Sequence, residues 1–217
     1  MEDFYGPKQY RTIAKSAEIR TEVKKSVFIA QVAPAADSAA ALAVLDAARK
    51  RFPDAVHHVS AWRVGMGTQS VQERYSDDGE PSGTAGLPVL SVLKGRELEN
   101  ICVVVTRYFG GTLLGTGGLV SAYGEAAAEA VEAGGAVRQV LCRTYKLELD
   151  YGLYSPILRL CNESSWPVLE SEFMEKVMLE IAVPSEEIEA FLLGLRDLSH
   201  GDLEPLALGL SYIPFNT

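Results

Sequence analysis

The chain has 217 residues, 47% of them hydrophobic and 23% charged, a balance that excludes a disordered or collagen-like polymer and suits one large domain or two small ones. No run approaches the roughly 20 consecutive apolar residues of a membrane-spanning helix. The start Met1-Glu2-Asp3-Phe4-Tyr5-Gly6-Pro7 lacks the basic lead and apolar stretch of a signal peptide, so the expected location is cytoplasmic, with no membrane partner. The net charge of −9 is uneven: residues 1–140 hold 15 Lys+Arg against 16 Asp+Glu, and residues 141–217 hold 5 against 13, a net −8. That asymmetry predicts two modules, and the acidic one is a poor platform for a phosphate backbone.

In chain order, Thr12–Ala33 is rich in β-formers and predicts a hairpin or two strands. Asp37–Lys50 predicts a helix capped by Asp37 or Ser38, with Leu42, Leu45 and Ala48 on one face and Pro53-Asp54 as its stop. His57–Val64 alternates as a strand, and Gln72–Tyr75 is its partner across a turn at Gly65–Gly67. After the loop Ser76–Gly83, a short helix is expected from Thr84 or Ala85 to Lys94, with Pro88 near its first turn, where a missing N–H costs least. Ile101–Thr106 reads as a fully buried strand. The glycine-rich loop Gly110–Gly118 follows it, and then an alanine-rich helix from about Leu119 to Glu132, ended by Gly134-Gly135.

The acidic part has a simpler rhythm. Tyr145–Leu149 predicts a strand, Tyr154–Asn162 a helix, Val168–Glu172 and Lys176–Val183 a hairpin, Pro184 to about Ser199 a helix, and Leu206–Leu210 a last strand. The order β-α-β-β-α-β is the ferredoxin-like pattern.

The glycine-rich loop is the strongest local feature. A glycine turn between a buried strand and a helix start aims backbone N–H groups at one point, where the helix dipole adds partial positive charge. Its spacing is neither a P-loop, since it holds no lysine, nor a Rossmann turn. Anion binding at Gly110, Gly111, Gly115, Thr116, Gly117 and Gly118 stands against a tight turn that packs close to a neighbouring strand. Asp77, Asp78 and Glu80 lie within four residues and read either as a hydrated Mg²⁺ site or, preferably, as an Asp-Gly turn and helix cap. His57 and His58 point to opposite sides of a strand and cannot chelate one metal together. One of them faces the loops as a proton donor or phosphate contact, with His57 taken as the candidate, or is an ordinary hydrogen-bonded histidine.

Arg107-Tyr108-Phe109 sets a cation and two rings beside the glycines, as a phosphate fork and stacking surface or as a surface Arg with a core Phe. Cys102, Cys142 and Cys161 match no metal or redox spacing, and Cys102 reads as a core residue. No nucleophile elbow and no H-E-x-x-H occur, so the catalytic residues are unassigned and neither a cofactor nor a metal is expected.

Three stretches carry a resemblance: Ser76-Asp77-Asp78-Gly79-Glu80-Pro81-Ser82-Gly83-Thr84-Ala85-Gly86, Val104-Val105-Thr106-Arg107-Tyr108-Phe109-Gly110-Gly111, and Leu114-Gly115-Thr116-Gly117-Gly118-Leu119-Val120 with Ala122-Tyr123. Together they resemble the IMPACT/YigZ family over about residues 17–135, and Asp54-Ala55-Val56-His57 is similar to its D-A-x-H segment. The remainder resembles the small C-terminal domain of bacterial YigZ-like members. The resemblance implies an α+β chain of two domains: an α/β sandwich of the ribosomal-protein and elongation-factor type over 1–139, and a ferredoxin-like domain over 140–217.

Eukaryotic members of the family regulate translation by restraining an initiation-factor kinase, and RNA- or ribosome-linked roles are inferred for bacterial ones by analogy. This chain departs from the family at Ser121, where Arg or Lys usually precedes Ala-Tyr. The expected function is a non-catalytic, translation-related regulator that binds RNA, the ribosome or another phosphate-bearing partner through the glycine-rich loop. The alternatives are a small Mg²⁺-dependent phosphoryl-handling or hydrolytic enzyme, and a module that contacts another protein through its acidic domain.

Overall fold

The computed structural model describes residues 6–67 and 70–215. The segment Met1–Tyr5 read above for targeting, and the outermost ends of both expected domains, lie outside these residues. The chain is α+β and divides after Arg138 into two compact units. Among the described residues no helix is long and apolar enough to cross a membrane.

The N-terminal unit runs β1 (Gln9–Ile13), β2 (Ala17–Val23), β3 (Ser26–Pro34), α1 (Ser38–Arg51), β4 (His57–Val64), β5 (Gln72–Ser76), α2 (Gly86–Gly95), β6 (Ile101–Tyr108) and α3 (Gly115–Gly134). Five strands form an antiparallel sheet in the order β2-β3-β6-β4-β5. The β-branched run of β6 takes its centre because both faces of that strand are covered. Ile101, Val103 and Val105 join Phe28, Ala30, Val59 and Ala61 under α2 and α3. Cys102 and Val104 join Trp62 and Val64 under α1. The result is a helix–sheet–helix sandwich. Asp37 caps α1 by accepting from the Ala40 N–H at 2.8 Å. The buried face of α1 is Ala41, Leu45 and Ala48; Leu42, expected there, is 48% exposed, because it sits about 100° around the helix from Ala41, off that stripe.

Two boundaries differ from expectation in ways that matter for the site. First, the Thr12–Ala33 stretch holds parts of three strands, and β2 and β3 are joined by a two-residue turn, Lys24–Lys25, with φ of 47° and 68°. Such a turn needs positive φ at both central residues to match the strand twist, and here two lysines adopt it. Second, α3 starts at Gly115, not Leu119. Gly115 enters the helix at φ +74°, which a residue with a Cβ resists. The glycines that follow are helical because Leu119, Ala122, Tyr123 and Ala126 bury one face, and that packing outweighs weak propensity.

The C-terminal unit comprises most of β7 (Ala136–Leu149), then α4 (Tyr151–Glu163), β8 (Val168–Phe173), β9 (Val177–Pro184), α5 (Ile188–Ser199) and β10 (Leu206–Phe215). β7 pairs with β9 and β10, and β8 pairs with β9; β1 also pairs with β7, and within the C-terminal unit the pairings β10-β7-β9-β8 match the ferredoxin-like order. The core is Tyr145, Leu147, Leu149, Ile157, Cys161, Leu179, Ile181, Phe191 and Leu195. β7 begins at Ala136 rather than Tyr145; its alternation of exposed and buried residues slips at Leu141-Cys142, both buried, and this hides the first half of the strand from a period-two reading.

Candidate functional site

The end of β6, the start of β4 and the β2–β3 turn meet at one end of the N-terminal sheet. His57 is opposite Arg107 in register, and Phe28 is opposite Arg107 on the other side. The glycine-rich loop leaves from this end. A Cβ on Gly110 would lie 2.0 Å from the Lys25 carbonyl carbon, so glycine is required for the loop to pass the hairpin turn. The Gly110 N–H donates to Ser26 Oγ at 3.2 Å, and Arg107 Nη2 donates to the same oxygen at 3.3 Å.

Arg107 is the centre of a buried polar network. It is 5% exposed, and its Nη1 donates to Glu80 Oε1 at 2.6 Å. Tyr123 from α3 donates its hydroxyl to the same carboxylate oxygen at 2.7 Å. The Phe28 ring lies 5.5 Å from the guanidinium and makes an edge contact with Tyr123 at 5.1 Å. Burial, and then the Glu80 carboxylate, hold the Tyr123 hydroxyl far above the ordinary tyrosine range, so it stays a donor. Arg107 Nε is buried with no hydrogen-bond partner among the described residues.

The reading of a surface Arg107 with a core Phe109 is therefore corrected, and Arg107 is not free to serve as a phosphate fork. The arginine is inside and committed to Glu80, while Phe109 is 49% exposed and lies 5.7 Å from the guanidinium. Tyr108 is half-buried at the strand end. Attraction to a buried carboxylate is what draws the cation in.

The acidic loop is held by its own carboxylates. Asp77 accepts from the N–H groups of Gly83, Ala85 and Gly86 at 2.8, 3.1 and 2.8 Å, which caps the approach to α2. Asp78 accepts from the His58 N–H at 2.6 Å and faces Arg49 at 3.3 Å. Glu80 holds Arg107 and Tyr123. Among the described residues no group of three or more His, Cys, Asp and Glu is arranged to hold a metal ion.

The two histidines diverge. His57 Nδ1 lies 2.7 Å from the Asp78 carbonyl oxygen, and since a carbonyl only accepts, Nδ1 carries the proton. His57 Nε2 stands 3.8 Å from Glu80 Oε1. His58 Nδ1 is 3.0 Å from Thr106 Oγ1. Burial holds the His58 pKa below the usual value, opposed by Asp78 and aided by Arg49.

The remaining glycines are open. A Cβ at Gly111, Gly115 or Gly117 would meet no atom of the described residues within 4 Å. Gly115, Thr116 and Gly117 are exposed. Among the described residues no side chain caps this start, and an α-helix leaves its first N–H groups without internal acceptors. Gly118 is partly covered by Leu114, and Ser121 is exposed. Exposed Lys24 and Lys25 stand beside Gly110 on the hairpin turn. Sequence reasoning missed Ser26 and the buried end of Tyr123. Nothing local marks Ser26, whereas Tyr123 stands out as a large polar residue on the small-residue face of α3, a signal that could have found it.

The Impact N-terminal domain model matches residues 24–131, and a domain of unknown function (DUF1949) matches residues 147–202. The chain is similar to IMPACT family member YigZ of Escherichia coli (strain K12), 39% identical over 187 residues, which cover 86% of this chain and 92% of that protein. It is also similar to IMPACT family member YvyE of Bacillus subtilis (strain 168), 34% identical over 204 residues, 94% of this chain and 93% of that protein. A solved structure described as the crystal structure of an hypothetical protein superposes with a TM-score of 0.61 at 36% identity, covering 94% of this chain and 98% of that one.

Proposed function

Because the chain belongs to the IMPACT family, we propose that it is a non-catalytic regulator connected with translation, which binds RNA, the ribosome or another phosphate-bearing partner through the glycine-rich loop at the start of α3. One observation carries this reading. The amides of Gly115, Thr116 and Gly117 open a 20-residue helix and carry no side-chain cap among the described residues, and Gly115 and Gly117 bring no Cβ beside them. Donors in that position, at the positive end of a helix dipole, suit a phosphate oxygen. Arg107 is committed to Glu80 and Ser121 supplies no charge, so this reading draws its cations from Lys24 and Lys25, on the turn whose backbone passes Gly110. Exposed Phe109 offers a ring for a base to stack on.

The enzyme reading has less support. Asp77, Asp78 and Glu80 are each bound to different protein groups, and a hydrated cation would have to displace them. Filter binding with RNA and with ribosomes at about 50 mM and about 200 mM salt tests the proposal. Affinity that falls steeply between the two conditions is expected. Weak binding that does not change with salt would contradict it.

A further inference from the structure

The C-terminal unit carries a second surface. β8 is the end strand of its sheet: among the described residues it pairs with β9 alone, and five of its six residues are exposed. Its two faces differ. Ser171 and Phe173 are opposite Leu179 and Val177, which are core residues, so they lie on the helix side. Glu170 and Glu172 are opposite Glu180 and Met178 and share the open face of the sheet.

The charges on that open face do not balance. Lys146 approaches Glu180 at 3.9 Å and Lys176 pairs with Glu148 at 3.0 Å. Glu170 and Glu172 have no ion-pair partner among the described residues, and Glu170 sits directly across from Glu180. Like charges in that relation destabilise a sheet. On the helix side, Phe173 is 55% exposed and closes a ring cluster with Tyr154 at 5.2 Å and Tyr151 at 6.5 Å. The Tyr151 hydroxyl donates to the Met174 carbonyl at 2.7 Å and fixes the end of the cluster.

We propose that the free edge of β8 is a docking strand for an extended, lysine- or arginine-bearing segment of a partner protein, which adds to the sheet beyond β8, sets its cations beside Glu170 and Glu172, and lays an apolar side chain against Phe173 and Tyr154. Charge complementarity selects this occupant. The unit carries 5 Lys+Arg against 13 Asp+Glu, so a nucleic acid is repelled. A second copy pairing edge to edge would bring the same carboxylates together. The irregularity between Val168 and Glu170 and the two glutamates also discourage unselective strand pairing, and the same devices admit a cationic strand. Strand addition draws its affinity from main-chain hydrogen bonds and its selectivity from alternating side chains.

The test uses the full chain and a fluorescent peptide that alternates lysine and valine. Binding is expected to rise as salt falls and to protect amides in 169–173 from hydrogen exchange. Glu170→Gln with Glu172→Gln should weaken it about 2- to 30-fold, from two cross-strand charge pairs. A fully N-methylated peptide of the same charge should lose binding, because it cannot donate to the edge. Equal binding of the methylated peptide, protection elsewhere, no binding, or self-association of the free chain with β8 protected would each overturn the proposal. It does not rest on the glycine-rich loop, so Gly117→Ala is expected to leave peptide binding unchanged.

Discussion

Replacing Glu80 by Ala removes the carboxylate on which the buried network converges. The Arg107 guanidinium then stays inside, 5% exposed, with Nε already lacking a partner and Nη1 newly deprived of one. Breaking a buried ion pair from one side costs about 3–5 kcal/mol. The Tyr123 hydroxyl loses its acceptor in the same step, and because both donors share Oε1 the two losses overlap rather than add. Against a typical stability of about 5–15 kcal/mol, that cost is a large fraction of what holds the N-terminal unit folded. Tyr123→Phe removes one hydrogen bond to a charged acceptor and should cost about 1.5–3 kcal/mol. Glu80→Gln combined with Arg107→Met leaves no bare ion and should cost less than the two single changes summed. Urea unfolding in a Trp166→Phe background isolates the signal, because Trp62 reports the N-terminal unit and Trp166 the other. A cost below about 1 kcal/mol for Glu80→Ala, or strict additivity in the double variant, would show that Arg107 does not depend on Glu80.

Gly110→Ala should destabilise by about 1–3 kcal/mol or more, because its Cβ meets Lys25 backbone. Gly117→Ala, in open space within α3, should leave stability unchanged or raise it by up to about 1 kcal/mol while weakening RNA binding, as thermal melts and filter binding would show. His58 carries a folded pKa held below its unfolded value, chiefly by burial. Its contribution to stability is therefore present above the ordinary histidine value and lost as pH falls through the lower folded one. Stability of His58→Gln should accordingly decline less between about pH 7.5 and pH 5 than that of the unaltered chain, as measured by denaturant titration. Burial pushes the Cys102 thiol up to about 12 and those of Cys142 and Cys161 up to about 11. All three should resist iodoacetamide at about pH 8 in the native chain and react once it is unfolded, by mass spectrometry.

The sheet was legible where one strand or helix declares itself locally. Ile101-Cys102-Val103-Val104-Val105 admits little else than a strand covered on both faces, and Asp37 caps α1 as its position implies. The site was less legible because its logic is tertiary. Asp77 looks like a ligand until three amides from the next turn are seen to occupy it. Arg107 and Phe109 exchange the places that polarity assigns them, since Glu80, 27 residues away in sequence, neutralises the cation inside. The need for glycine at position 110 comes from Lys25, on a hairpin turn that carries none of the usual Asn or Gly signals. The start of α3 ran four residues earlier than propensity indicated, because packing at Leu119 and Tyr123 sets the helix axis.

The most direct measurement is an amide-resolved NMR titration of the full chain with a short single-stranded RNA at low and at raised salt. The largest shifts are expected on Gly111, Gly115, Thr116 and Gly117, with Lys24 and Lys25 moving alongside, and they should shrink as salt rises. Unmoved amides at the start of α3, while RNA binds elsewhere or not at all, would contradict this expectation.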